Sequence, residues 1–325
     1  MELRKVQRTG GGTFLVSLPK AWAKRNRLDR GSLVAVSERV NGRLVVDPQY
    51  GAEPVPRTAV IKPSPYLVHE IIGNYLLGCD IIRVEAKERI SPEDRERIKL
   101  RSSRLIGLEI IEEDHSRIVM QCLLEPSAFP PEKILRREHL IASGMHRDAV
   151  TALVESDASL AKNVIARDEE VDRLYFLLVR ILRTVIQHPY LSEKLGILPI
   201  DCLDYRLAVS LIESIGDQST QIAENAVKLE GAKITDELSK LLRRFHRIAY
   251  EAHENAVKAL FSRDISLADS IRTQRETIAS LFQEIETIVH SRPVEFSPYL
   301  LAASSIGRIY DHSVDIADLG MPRFP

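Results

Sequence analysis

From Glu132 to Asp318, apolar residues recur every three or four positions, the period of helices that bury one face. The pattern is interrupted at His188-Pro189, Leu198-Pro199, Gly231 and Arg292-Pro293, residue types that end helices. Six long helices are predicted, over 131–156, 157–187, 200–229, 235–263, 264–290 and 295–318. One helix is spelled twice. Residues Tyr205–Glu224 and Tyr299–Asp318, 94 positions apart, repeat Tyr, Leu, Ala, Ser, Ile, Asp, Ser, Ile and Ala in register without a gap. Asp157-Ala-Ser-Leu-Ala161 and Asp264-Ile-Ser-Leu-Ala268 also recur, each setting a capping Asp before a helical run. One amphipathic helix cannot bury its stripe alone, so a copied helix implies a copied bundle of three helices per repeat.

The pattern changes toward the N-terminus. Residues 57–124 alternate strand and helix: strands at 57–62, 80–85, 108–112 and 118–124, a helix from Pro65 to Leu77, and another opened by Ser91-Pro92-Glu-Asp94, a capping-box pattern. Before them come short β-rich pieces, 13–17, 33–36 and 43–46, separated by Gly10-Gly-Gly12, Arg30-Gly31 and Asn41-Gly42. Asn-Gly between apolar strands signals a hairpin. Leu18-Pro19-Lys-Ala-Trp-Ala-Lys-Arg25 reads as a short helix with Pro in its first turn. Four regions follow: 1–55, a small β head; 56–126, a small α+β domain; 127–230 and 231–325, two helical repeats.

Charge divides along the same line. The chain of 325 residues has a net charge of −1, yet residues 1–50 hold ten Lys/Arg against four Asp/Glu. A basic head on an acidic body points to a polyanion partner. Arg4, Lys5, Arg8, Lys20, Lys24, Arg25, Arg27 and Arg30 are the candidate phosphate contacts, and a head this short needs a second copy to complete a core. The three cysteines, Cys79, Cys122 and Cys202, lack metal-type spacing and suit a reducing compartment. No apolar run approaches the ~20 residues of a membrane span, and Met1-Glu-Leu-Arg-Lys lacks the hydrophobic region of a secretory signal. A cytoplasmic protein without membrane insertion is expected.

At about 100° per residue, Leu211, Ile215 and Ile222 share one face while Glu213, Asp217 and Glu224 gather opposite, so these acids are expected to point away from the core. In the second copy Ile309 and Ile316 take the core positions and Asp311, Asp315 and Asp318 the acidic stripe. Asp168 and Asp172 stand one turn apart, as do Glu213 and Asp217, and the four converge if their helices are neighbours. Such oxygen clusters suit hard or intermediate divalent and trivalent cations. A solvated acidic face is the alternative. An ungapped match from Asp264 sets Arg275 against Asp168 and Ala279 against Asp172, while Gly307 matches Glu213. The second site is therefore depleted, retaining Asp311 and Asp315 with Glu276 nearby. His312, and His246 with His253 seven residues apart on one face, read as solvated histidines.

The segments Asp168-Glu-Glu-Val-Asp172, Glu213-x-x-x-Asp217 and Arg308-Ile-Tyr-Asp311-His312 resemble the signatures of the PhoU family. That resemblance implies two tandem three-helix bundles, a role in restraining phosphate-uptake signalling rather than catalysis, and metal at Asp168, Asp172, Glu213 and Asp217, with iron, zinc, manganese and magnesium not distinguished. The order strand, Leu-Pro-Lys, short helix, Leu28-Asp-Arg-Gly31, strand, Gly42-Arg-Leu-Val resembles the SpoVT/AbrB DNA-binding domain. This implies a swapped-hairpin β-barrel made by two chains and a dimer that binds DNA through basic residues. No G-x-S-x-G, Walker loop or H-E-x-x-H is present, so no enzyme is expected. Taken together, the two resemblances imply a multidomain DNA-binding regulator of phosphate uptake. Its alternative is an adaptor whose head only dimerises and whose body docks on a phosphate transporter or sensor kinase.

Overall fold

The computed structural model describes residues 2–38, 42–48, 56–229, 231, 234–292 and 296–320. The chain divides into two compact units, Met1–Val55 and Pro56–Pro325. In the first, β1 (Gln7–Arg8) pairs antiparallel with β2 (Phe14–Leu15). Their turn closes with the Gly12 amide donating to the Thr9 carbonyl at 3.0 Å. Gly12 takes φ +87°, a conformation that L side chains rarely adopt. α1 (Lys20–Arg25) follows, then β3 (Ala35–Glu38) pairs antiparallel with β4 (Leu44–Asp47), Ala35 facing Asp47. The hairpin signal at Asn41 falls outside the described residues.

The second unit opens with a sheet of order β5-β6-β8-β7, built from β5 (Thr58–Ile61), β6 (Ile81–Glu85), β7 (Leu108–Glu113) and β8 (Arg117–Cys122). β5 and β6 are parallel, joined through α2 (Leu67–Leu76); the other pairs are antiparallel. α3 (Pro92–Arg104) is capped as its sequence predicts, the Asp94 amide donating to Ser91 Oγ at 3.0 Å. Leu67, Ile71, Tyr75, Ile82, Val84, Ile98 and Ile118 form this layer's core. Arg180, from the helical region, ties the two layers. It is buried and donates to the carbonyls of Tyr75 (2.6 Å) and Cys79 (3.0 Å), with its guanidinium over the Tyr75 ring.

Among the described residues that remain, eight helices form: α4 (Pro131–Glu155), α5 (Ala158–Gln187), α6 (Pro189–Leu195), α7 (Pro199–Lys228), α8 (Asp236–Ser262), α9 (Ile265–Arg272), α10 (Arg275–His290) and α11 (Ser297–Asp318). α6 occupies the stretch read as punctuation, where Pro189 opens a helix rather than ending one. The fifth predicted helix is two, parted at Thr273-Gln274. The repeat is visible in the backbone. Asp157 and Asp264 cap α5 and α9 through the amides of Leu160 and Ser266, both at 2.9 Å. Each follows a left-handed residue, Ser156 or Arg263, at φ 56° and 57°. α4, α5 and α7 form the first bundle; α8, α9, α10 and α11 form the second; α7 packs on α11 and α4 on α8, so one continuous core serves both. Arg263 fastens the join, donating to Asp201 (3.2 Å), Asp204 (3.3 Å) and the Leu319 carbonyl (3.0 Å). The three cysteines are free and buried. Among the described residues, no helix is long and apolar enough to cross a membrane.

Candidate functional site

α5 and α7 lie side by side and bring the first repeat's acids to one place. Gly216 sets the approach: a Cβ there would meet Val171 Cγ1 at 3.3 Å. Asp168 and Asp172 on α5 and Glu213 on α7 are half-buried, and Asp217 is exposed. The expectation that Glu213, Asp217 and Glu224 point away from the core holds for Asp217 and Glu224, which are exposed, and is corrected for Glu213. α5 packs against α7 at Gly216, beside Glu213, and half-covers that carboxylate. Burial, then the charges of Asp217, Asp172 and Asp168, pushes the Glu213 carboxyl up to about 7. Asp172 is pushed up to about 6 by burial and then by Asp168 and Asp217, against the pull of Arg101 and Arg104. Burial also raises Asp168 and Asp217.

Beneath them lies a residue that the sequence reading missed. Glu138 of α4 is fully buried, and neither carboxylate oxygen has a hydrogen-bond partner. Burial first, then Glu213 and Asp172, holds its carboxyl well above the usual range. Its signal was an acid four residues from both Ile134 and Ala142, on the buried face. Among the described residues none of these five mutually repelling carboxyl groups is in an ion pair, and one is orphaned; an all-oxygen donor set is the kind that hard cations take. The donors therefore fit a cation in kind. As the side chains stand, no three His, Cys, Asp or Glu groups among the described residues are gathered around one ion.

In the second repeat the pairing across helices is missing. Asp311 and Asp315 are exposed on α11, Arg275 and Ala279 face them from α10's row, and Asp318 is paired with Arg272. His312 is half-buried; burial lowers its pKa while Asp315 and Asp311 oppose the shift.

His246 and His253 are not solvated, which corrects their reading as surface residues. With His139 and His146 of α4 they form a buried chain. Glu254 Oε1 lies 3.2 Å from His139 Nε2. His139 Nδ1 lies 3.1 Å from His253 Nε2, His253 Nδ1 3.2 Å from His146 Nε2, and His146 Nδ1 2.9 Å from His246 Nε2. The Glu254 carboxylate accepts from His139 Nε2, so every link points the same way: His139, His253 and His146 each donate once and accept once, and His246 donates at the end of the chain. Desolvation lowers all four pKa values, that of His246 to about 4. The sequence held a signal: histidines seven apart on each of two helices. It could not show that α4 faces α8.

In the head, Arg4, Lys5, Arg8, Lys20, Lys24, Arg25, Arg27 and Arg30 are all exposed. Arg4 pairs with Glu2, and Arg8 lies over the Phe14 ring. No described head residue is buried; Phe14, Leu33 and Leu44 are 68%, 73% and 68% exposed.

The body is thus two linked helical bundles, of which the first carries paired acids on facing helices. The PhoU domain model matches residues 135–226 and 242–320, more than half of the chain, and the chain belongs to the PhoU family. Residues 7–55 match the model described as "Antidote-toxin recognition MazE, bacterial antitoxin", so the head is of the MazE/AbrB type. A Rhizobium meliloti (strain 1021) protein called "Phosphate-specific transport system accessory protein PhoU homolog" is 29% identical over 187 residues, covering 55% of this chain and 77% of its own. A Pseudomonas putida protein of the same name is 29% identical over 210 residues, covering 56% and 75%. The crystal structure of PhoU from Pseudomonas aeruginosa superposes with a TM-score of 0.53 at 20% identity, covering 60% of this chain and 95% of the other, and shares the fold of the helical body.

Proposed function

We propose that the chain is a cytoplasmic DNA-binding regulator of phosphate uptake, acting by binding rather than catalysis. Its head dimerises and holds DNA, and its PhoU body receives phosphate status from a phosphate transporter or sensor protein. One observation supports the DNA-binding part: all eight candidate cations of the head are exposed, on a unit in which no described residue is buried. A second head would cover Phe14, Leu33 and Leu44, and the duplicated cations would face phosphates, which supply affinity with little sequence information. A divalent or trivalent metal ion would be held by Asp168, Asp172, Glu213 and Asp217, with Glu138 below. When bound, it supplies the positive charge that these carboxylates lack.

Fluorescence anisotropy of the full-length protein on duplex DNA tests the reading. If about eight cations meet the backbone, log K falls against log salt with a slope of about −7. Arg4, Lys24 and Arg25 changed together to Ala weaken binding to all sequences and flatten that slope. No affinity at about 50 mM salt, where the electrostatic contribution is strongest, would leave the adaptor as the function.

A further inference from the structure

Where the first repeat carries acids, the second carries a cavity. Arg275 stands at the position of Asp168, Ala279 at that of Asp172 and Gly307 at that of Glu213. Between α10 and α11 these residues border a space of about 450 Å³. Phe282 and Ile278 supply an apolar floor, with the fully buried Phe245 behind it; Arg275, Arg308, Asp311 and the Ser304 hydroxyl supply polar groups. Gly307 keeps the space open, because the nearest atom to a Cβ placed there is Phe245 Cζ, 3.8 Å away. The two phenylalanine rings lie 6.4 Å apart, tilted by 45°.

Arg275 and Arg308 are both exposed and engage no carboxylate or carbonyl of a described residue. Their neighbours differ: Arg272 pairs with Asp318, and Arg263 with Asp201 and Asp204. Two guanidinium groups without partners, bordering one concavity, match an oxyanion that accepts paired N–H donors. They also exclude the cation that the first repeat's donors would suit.

We propose that this cavity binds a small organic phosphate carrying a planar ring, of the nucleoside monophosphate class. Arg275 and Arg308 take the phosphate oxygens, and the ring lies against Phe282 and Ile278. Inorganic phosphate alone would leave the apolar floor wet, and the volume is within the range of roughly 300–1,000 Å³ of sites that enclose small organic ligands. Asp311 accepts from a hydroxyl or amino group of the ligand and disfavours anions of higher charge.

The test is isothermal titration calorimetry of the full-length protein with AMP, adenosine and inorganic phosphate. AMP is expected to bind saturably, one per chain, with adenosine and inorganic phosphate each at least about tenfold weaker, the worth of one charge-assisted hydrogen bond or one stacked ring. Arg275→Ala with Arg308→Ala should weaken AMP by about 100-fold or more, with the far-UV spectrum unchanged because both side chains are exposed. Gly307→Glu, which restores the first repeat's acid inside the cavity, should abolish binding. Absence of AMP binding at about 5 mM, above the roughly millimolar limit of a weak specific site, overturns the assignment. So does AMP affinity unchanged in the double variant, and so does inorganic phosphate binding as tightly as AMP.

Discussion

His246→Gln separates the histidine chain's titration from its hydrogen bonding. The glutamine amide takes the place of His246 Nε2, which faces His146 Nδ1 at 2.9 Å, and keeps a donor there while removing the titratable ring. In the folded protein His246 titrates at about 4 because burial, and then the Arg147 charge, disfavours the imidazolium. Unfolded, it titrates near 6.5. Between these values the unfolded chain holds a proton that the folded chain does not, so acid favours unfolding. The contribution is intact above about pH 6.5 and lost progressively down to about pH 4. At about 1.4 kcal/mol per pKa unit, this residue alone costs the wild type about 2–3 kcal/mol between pH 7.5 and 4.5. The variant should be within about 1 kcal/mol of wild type at pH 7.5, the worth of one hydrogen bond, and should overtake it at pH 4.5. Urea unfolding followed at 222 nm measures this, since the head adds only the six residues of α1 to the helical signal. With m near 3 kcal/mol/M, the relative midpoint shift is roughly 1 M. The raised Glu213 and Asp172 gain stability as pH falls through about 7 and 6, but they act equally in both proteins and cancel in the difference. Parallel pH profiles would refute the reasoning.

Three further outcomes are expected. Arg180→Ala should destabilise the second unit by about 2–4 kcal/mol in the same urea assay, because two buried carbonyls lose a charged donor; a loss under about 0.5 kcal/mol would mean that water replaces it. Glu213→Ala with Asp217→Ala should strip metal, measured by elemental analysis of the full-length protein, while leaving helicity intact; unaltered metal content would reject these ligands. Analytical ultracentrifugation at micromolar concentration should find the full-length protein dimeric, with Phe14→Asp and Leu33→Asp together shifting it toward monomer; a monomeric wild type would refute head-mediated dimerisation.

The sequence predicted the elements where local chemistry decides them. The caps at Ser91, Asp157 and Asp264 all form as read, since each depends on an oxygen and an amide two or three residues apart. The four strands of the middle layer fall within two residues of their predicted ends. Faces were less legible. Ile215 and Ile222 are buried as their period requires, and on the opposite flank Asp217 and Glu224 are exposed as read, but Glu213 is half-buried because α5 packs beside it. His139 and His146 meet His246 and His253 only because α4 of one repeat packs on α8 of the other, a pairing that no local pattern encodes. The head's apolar strands were visible, yet Phe14, Leu33 and Leu44 stay exposed in the single chain.

The two repeats show how one backbone carries different chemistry. In the first, a glycine at 216 lets α5 close on α7, and an acid at 213 projects into the gap between them. In the second the glycine has moved three positions, to 307, and the place of Gly216 is taken by Tyr310, which is fully buried and donates its hydroxyl to the Ile271 carbonyl at 2.7 Å. A buried tyrosine there needs room that a glycine does not, and Gly307 leaves open the position that an acid takes in the first copy. The exchange alters spacing and charge at once, since Arg275 replaces Asp168 across the same gap. Acids held close repel and call for a cation, while arginines around a void call for an anion. The loss of acids in the second repeat thus comes together with a change of glycine position and of charge sign at the matching positions.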